Sequence, residues 1–259
     1  MKAVRQSWFA ALALAVLCAC WSARADFTSG FDSANKLYEE GKFAEAAAAY
    51  DKLLATGNVS EALYFNRGNA FFKQGQLGRA IVSYLQGQRL SPRDPNLRDN
   101  LLVARTRARG GVPYQTERWR ALFGKLTLNE WTMLFVAAFW LFFLLLALRQ
   151  WRPDIKSALR SYCVAAGAAV LLVGVCLTIA LNFDYFTSSV VVIAGEAEVR
   201  NSPFDEAPSN FKVRDGAELT VLDRKEGWLQ VMDASQRAGW LRRDQVLTIE
   251  SDGSARPGS

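Results

Sequence analysis

The chain has 259 residues, enough for one or two ordinary domains, and its 51% apolar content is concentrated near residues 8–20, 131–148 and 161–181. It contains no histidine, which excludes Ser-His-Asp and Cys-His catalysis, histidine acid–base chemistry and histidine metal sites. The net charge of +6 is not one basic patch: residues 26–109 carry 12 basic and 9 acidic side chains and residues 185–259 carry 9 and 12. The excess therefore sits beside the apolar blocks, where phospholipid headgroups rather than nucleic acid are the expected partner.

Lys2 and Arg5 precede the first apolar block, and Ala23-Arg24-Ala25 follows it. That order of charge, short apolar core and small residues predicts a secretory signal over residues 1–25. Lipidation of Cys20 in the weak lipobox Leu17-Cys18-Ala19-Cys20 is the alternative.

Residues 27–60 and 61–94 form two units offset by 34: Gly41 pairs with Gly75, Ala46 with Ala80, Tyr50 with Tyr84, Ala34 with Gly68 and Leu37 with Phe71. Small residues are expected where two antiparallel helices cross, glycines at the turn and tyrosines in the gap to the next unit. This period and pattern resemble the tetratricopeptide family, and Pro92 ends the second unit as that family expects. Residues 95–109 read as a capping helix with Leu97, Leu101 and Ala104 inward and arginines outward. The resemblance implies an inner groove lined by Phe31, Asn35, Tyr38, Asn66, Asn69, Phe72, Lys73 and Asn100. Asn35 and Asn66 match the asparagines with which some members grip a C-terminal carboxylate. Phe31, Asn96 and Asn100 stand where the basic residues of that clamp belong, so pairing with peptide-backbone amides is the expected mode.

Residues 110–127 begin with the turn signal Gly110-Gly111-Val112-Pro113. Trp119, Leu122, Phe123 and Leu126 then fall on one helical face, the pattern of a helix lying on a membrane surface. The windows 131–148 and 161–181 contain no charged side chain and are long enough to cross a bilayer, with Thr127 and Glu130 spaced as a capping box before the first. Spans over 128–148 and 161–181 are predicted. Cys163, Gly167 and Gly174 form a small-residue stripe for close helix packing. The intervening 149–160 holds Arg149, Arg152, Lys156 and Arg160 against Asp154, which predicts a cytoplasmic loop. With an export signal and two spans, residues 26 onward and the C-terminal part share the extracytoplasmic side. The four cysteines all lie in apolar blocks, so no disulfide or zinc staple and no cofactor is expected.

Short β-rich runs at 190–193, 198–200, 218–222, 228–232 and 238–241 predict five strands in a barrel over 188–249. Ala197-Glu-Val-Arg-Asn-Ser-Pro203, Asp215-Gly216-Ala-Glu-Leu, Glu226-Gly-Trp228-Leu-Gln-Val and Ala238-Gly-Trp240-Leu resemble the bacterial SH3-like family. Trp228 is the candidate recognition side chain, although core packing outweighs ligand contact for both Trp228 and Trp240. Residues 250–259 read as a disordered tail.

The sum is a multidomain membrane protein: an all-α tetratricopeptide repeat module, two transmembrane helices and an all-β SH3-like barrel. This order, with Leu126-Thr-Leu-Asn-Glu-Trp131 leading into the first span, is similar to the BatE-type proteins of the Bacteroides aerotolerance operon. The resemblance implies a non-enzymatic protein of the bacterial inner membrane whose partners are von Willebrand A-domain proteins and a MoxR-type ATPase system. Peptidoglycan, bound through the barrel, is the other partner such a module implies.

Overall fold

Helix formation in the first third of the chain follows the 34-residue offset. The computed structural model describes residues 27–113, 126–181 and 189–248. The predicted signal, most of the predicted surface helix and the predicted tail lie outside them. Helix α1 covers 27–39, followed by α2 (Phe43–Ala55), α3 (Glu61–Lys73), α4 (Leu77–Leu90) and α5 (Pro95–Ala108). Gly41 and Gly75 each adopt φ +77°, so the α1–α2 and α3–α4 turns use a backbone conformation that only glycine enters without strain. Ser60 caps α3 by accepting from the Leu63 N–H, and Asp94 caps α5 through the Leu97 N–H, with Pro95 in its first turn.

The small residues do what close helix crossing requires. Ala34, Ala46 and Ala80 are completely buried. A methyl on Gly68 would lie 2.5 Å from the Tyr84 ring, so the larger tyrosine is accommodated only because position 68 has no side chain. On α5, Leu97, Leu101 and Ala104 face this core. Gly110 and Gly111 then end the helix in a bonded turn, their N–H groups donating to the carbonyls of Arg107 and Thr106.

Two long helices, α6 (Leu128–Trp151) and α7 (Lys156–Leu181), are long and apolar enough to cross a membrane, with mean hydropathy 2.4 and 2.6 over their best windows. The Thr127–Glu130 capping box forms as spaced: the Glu130 N–H donates to the Thr127 hydroxyl, and the Thr127 N–H to the Glu130 carboxylate. Gly167 and Gly174 let α6 approach, because a methyl at either would sit 3.2 Å from the rings of Phe142 and Phe135. Both helices run past their uncharged windows. The basic segment predicted as a loop is therefore mostly helical, and the break is a single 3₁₀ turn at Pro153–Ile155.

The C-terminal part is an antiparallel sheet of seven strands: β1 (Ser189–Val192), β2 (Glu196–Arg200), β3 (Ser209–Arg214), β4 (Glu218–Lys225), β5 (Trp228–Met232), β6 (Ala238–Arg242) and β7 (Val246–Thr248), ordered β3-β2-β6-β5-β4-β1-β7. Alternate residues fill its core, including Val199, Leu229, Val231 and Leu241. The five-strand expectation misses β3 and β7. In β3 only Phe211 and Val213 point inward among polar neighbours, and β7 is three residues long.

The helices α1–α5 and the sheet are not separate bodies. They belong to one compact unit, and α6 and α7 to a second. Strand β1 explains the union: Val190 and Val192 enter the sheet core while Val191, on the opposite face, enters the helical core. All three are buried, because this strand is covered on both sides.

Candidate functional site

Within the first unit, α1, α3 and α5 are joined by a ladder of side-chain amides. The Tyr50 hydroxyl donates to Asn35 Oδ1 at 2.7 Å, and Asn66 Nδ2 donates to the same oxygen at 2.9 Å. One repeat later, Tyr84 donates to Asn69 Oδ1 at 2.8 Å and Asn100 Nδ2 to that oxygen at 2.9 Å. Asn35 and Asn69, Asn66 and Asn100, and Tyr50 and Tyr84 all share the 34-residue offset. The asparagines assigned to the groove are thus first of all the rungs that hold its three helices side by side. The repeat contained this information, since the asparagines recur in step with the tyrosines.

Each amide still has unused capacity. The carbonyl oxygens of Asn35 and Asn69 accept two bonds, which leaves their N–H₂ groups; Asn66 and Asn100 donate within the ladder, which leaves their carbonyls. The half-buried positions of all four keep these groups within reach of solvent. Burial pushes the Tyr50 hydroxyl up to about 12, although its hydrogen bond with the Asn66 amide acts the other way. The Tyr84 hydroxyl is raised further, again by burial first. Both therefore remain protonated donors at neutral pH.

The other expected groove residues surround the ladder. Phe31 is half-buried, with its ring 5.9 Å from Phe27 and 6.0 Å from Tyr50. Tyr38 meets Phe43 edge-on at 5.2 Å, and the Arg107 guanidinium lies 5.2 Å above the Phe72 ring. Lys73 is exposed at the end of α3. The resulting strip is amide in the middle, aromatic at its margins and mildly basic toward Lys73 and Arg107.

The sheet closes the far end of this helical stack. Asp215 accepts from the Leu77 and Gly78 N–H groups at 2.7 and 3.0 Å, capping α4, whose own flanking residue Gln76 provides no side-chain cap. Burial raises the Asp215 carboxyl against the opposing pull of its amide donors and Arg79. Arg105, expected to point outward, instead makes a two-bond pair with Glu218 at 2.6 and 2.7 Å. A methyl on Gly78 would lie 2.0 Å from the Val192 carbonyl oxygen, and one on Gly216 would lie 2.6 Å from Ala108. Nothing in the local sequence marks these contacts, because Asp215 and Leu77 are separated by 138 positions.

Trp228 and Trp240 are not core residues. They alternate with buried Leu229, Val231, Gly239 and Leu241, and both remain half-exposed. Trp228 lines a cleft of about 190 Å³ together with Val190, Val221, Leu229 and the charged residues Arg224, Lys225, Glu226 and Arg243. The Arg242 guanidinium covers its ring at 5.5 Å.

The chain matches no protein-family model and no curated protein. Its functional reading therefore stands on the geometry above and on the sequence resemblances.

Proposed function

We propose that this protein is a membrane-anchored adaptor that holds an extended segment of a partner protein along α1, α3 and α5. The observation that carries the reading is the amide ladder, which presents unengaged N–H₂ groups at Asn35 and Asn69 and unengaged carbonyls at Asn66 and Asn100 between aromatic margins. Alternating donors and acceptors suit a peptide backbone, which offers one of each per residue. The absence of histidine and the placement of every cysteine in an apolar block support a binding role rather than an enzymatic one.

In this reading the helices are a tetratricopeptide module, the sheet is a bacterial SH3-like domain, and the chain is a BatE-type component of an aerotolerance or envelope-stress complex. Its partners are then von Willebrand A-domain proteins and a MoxR-type ATPase system. Both soluble parts lie on the periplasmic side of the inner membrane. The contacts of Asp215 with α4 and of Arg105 with Glu218 support a shared compartment, because residues that touch must be on the same side. An even number of membrane crossings between them meets that demand.

Affinity purification of the full-length chain from its own membranes, beside a Phe72→Ala/Lys73→Glu variant, tests the groove. Loss of a recovered partner with an unchanged thermal melt supports it; equal recovery by both proteins refutes it. A second reading, a wall tether acting through the sheet domain, is favoured by the half-exposed pair Trp228 and Trp240. Failure of the full-length protein to sediment with purified peptidoglycan removes that reading.

A further inference from the structure

Four of the eight cations of the sheet domain are paired with neighbouring acids. Arg242 pairs with Asp205, Arg237 with Asp233, Lys212 with Glu196 and Arg200 with Glu198. Arg224, Lys225 and Arg243 differ: all three are exposed, they converge on the cleft beside Trp228, and among the described residues none has an ion-pair partner. Glu226 on the same rim leaves a local excess of two positive charges. Three cations without acidic partners on the rim of one cleft favour an anion there.

The chain itself limits where this cleft goes. Val190 forms part of its wall, and only the segment 182–188 and Ser189 lie between Val190 and the end of α7 at Leu181. Nine peptide steps reach at most about 30 Å. The cleft is therefore tethered to the end of a helix long and apolar enough to cross a bilayer. Basic clusters beside such helices meet anionic lipid headgroups, and tryptophan favours the same interfacial depth. The cleft also combines charge at its rim with the half-buried apolar side chains of Val221 and Trp228. That mixture suits a phosphodiester attached to a glycerol backbone better than a fully hydrated ion.

We propose that the cleft formed by Arg224, Lys225, Arg243 and Trp228 seats the phosphate of an anionic phospholipid headgroup, docking the sheet domain on the bilayer that its own chain enters. The three cations hold the phosphate oxygens, and the indole packs against the neighbouring glycerol carbons.

The test uses the full-length protein in nanodiscs of phosphatidylcholine, with or without phosphatidylglycerol, and follows amide exchange in residues 222–229. Phosphatidylglycerol is expected to slow that exchange about tenfold in the wild type and to have no effect on R224Q/K225Q/R243Q. Those three side chains are solvent-exposed, so the variant retains its fold, which an unchanged melting temperature verifies. Equal exchange in the two lipid compositions overturns the proposal, as does protection that survives the triple substitution. Protection by inorganic phosphate added to phosphatidylcholine discs also overturns it, because the cleft would then be a site for a soluble anion.

Discussion

Gly78→Ala separates a docked sheet from an undocked one by the sign of its effect. Gly78 lies in the first turn of α4, where alanine in place of glycine ordinarily favours helix by up to about 1 kcal/mol. If α4 and β1 did not touch, the substitution would be neutral or stabilising. In the structure the added methyl would lie 2.0 Å from the Val192 carbonyl oxygen and 2.6 Å from Asp215 Oδ1. The first of these is backbone in a strand covered on both faces, so it has no rotamer by which to escape. Relief requires α4 and β1 to separate by about 1 Å, which also stretches the two hydrogen bonds to Asp215. Overpacking of this kind costs about 1–3 kcal/mol. Net of the helix gain, a loss of about 1–2 kcal/mol remains, or roughly 3–8 °C in melting temperature for a unit of this size. Tryptophan fluorescence of the detergent-solubilised full-length protein reads the transition, since Trp228 and Trp240 report from the sheet. A melting temperature that rises on Gly78→Ala refutes the docking argument.

The ladder makes two further predictions. Asn69→Ala removes the acceptor shared by Tyr84 and Asn100 and strands a hydroxyl whose residue is 1% exposed, at an expected cost of about 1–3 kcal/mol measured by urea denaturation. The tyrosines also predict loss of stability in alkali: their folded pKa values lie above that of a free phenol, so the unfolded chain loses its protons first. The contribution is complete below pH 10 and is lost as pH rises through about 12 for Tyr50, which tyrosinate absorbance compared with fluorescence unfolding will follow. Arg105→Ala leaves the Glu218 carboxylate, 25% exposed, without its partner; it is expected to cost about 1–3 kcal/mol, with partial recovery on adding Glu218→Gln in a double-mutant cycle by thermal melting.

The helices were legible because their signals are local and repeated. Gly41 and Gly75 announce turns, and Ala46 and Ala80 announce crossings, at a fixed offset. The apolar pair was legible from length and hydropathy alone, and Thr127 with Glu130 marked where the first begins. The sheet was harder to read. Phe211 and Val213 alternate with polar residues in β3 just as they would in an extended loop. The docking was hardest, since Asp215 sits in an Asp-Gly sequence that any tight turn would explain. Only the unbroken run Val190-Val191-Val192 hinted at a strand covered on both faces. Among the candidate site residues the types were legible but their duty was not. Asn35, Asn66, Asn69 and Asn100 read as ligand-facing amides, whereas half of their hydrogen-bonding capacity is committed to one another and to Tyr50 and Tyr84.

Strand β1 also constrains the order of biosynthesis. The patch around Ile81 and Ala108 emerges from the ribosome long before Val191 and Gly216, the residues that cover it. Between them come α6 and α7, both of which must be accommodated before the head can close. Until the last strands are made, the buried side chains of α4 and α5 that they cover stay without that cover. Closure of Val191 and Gly216 over Ile81 and Ala108 is thus a late event, completed only after both long apolar helices have been made.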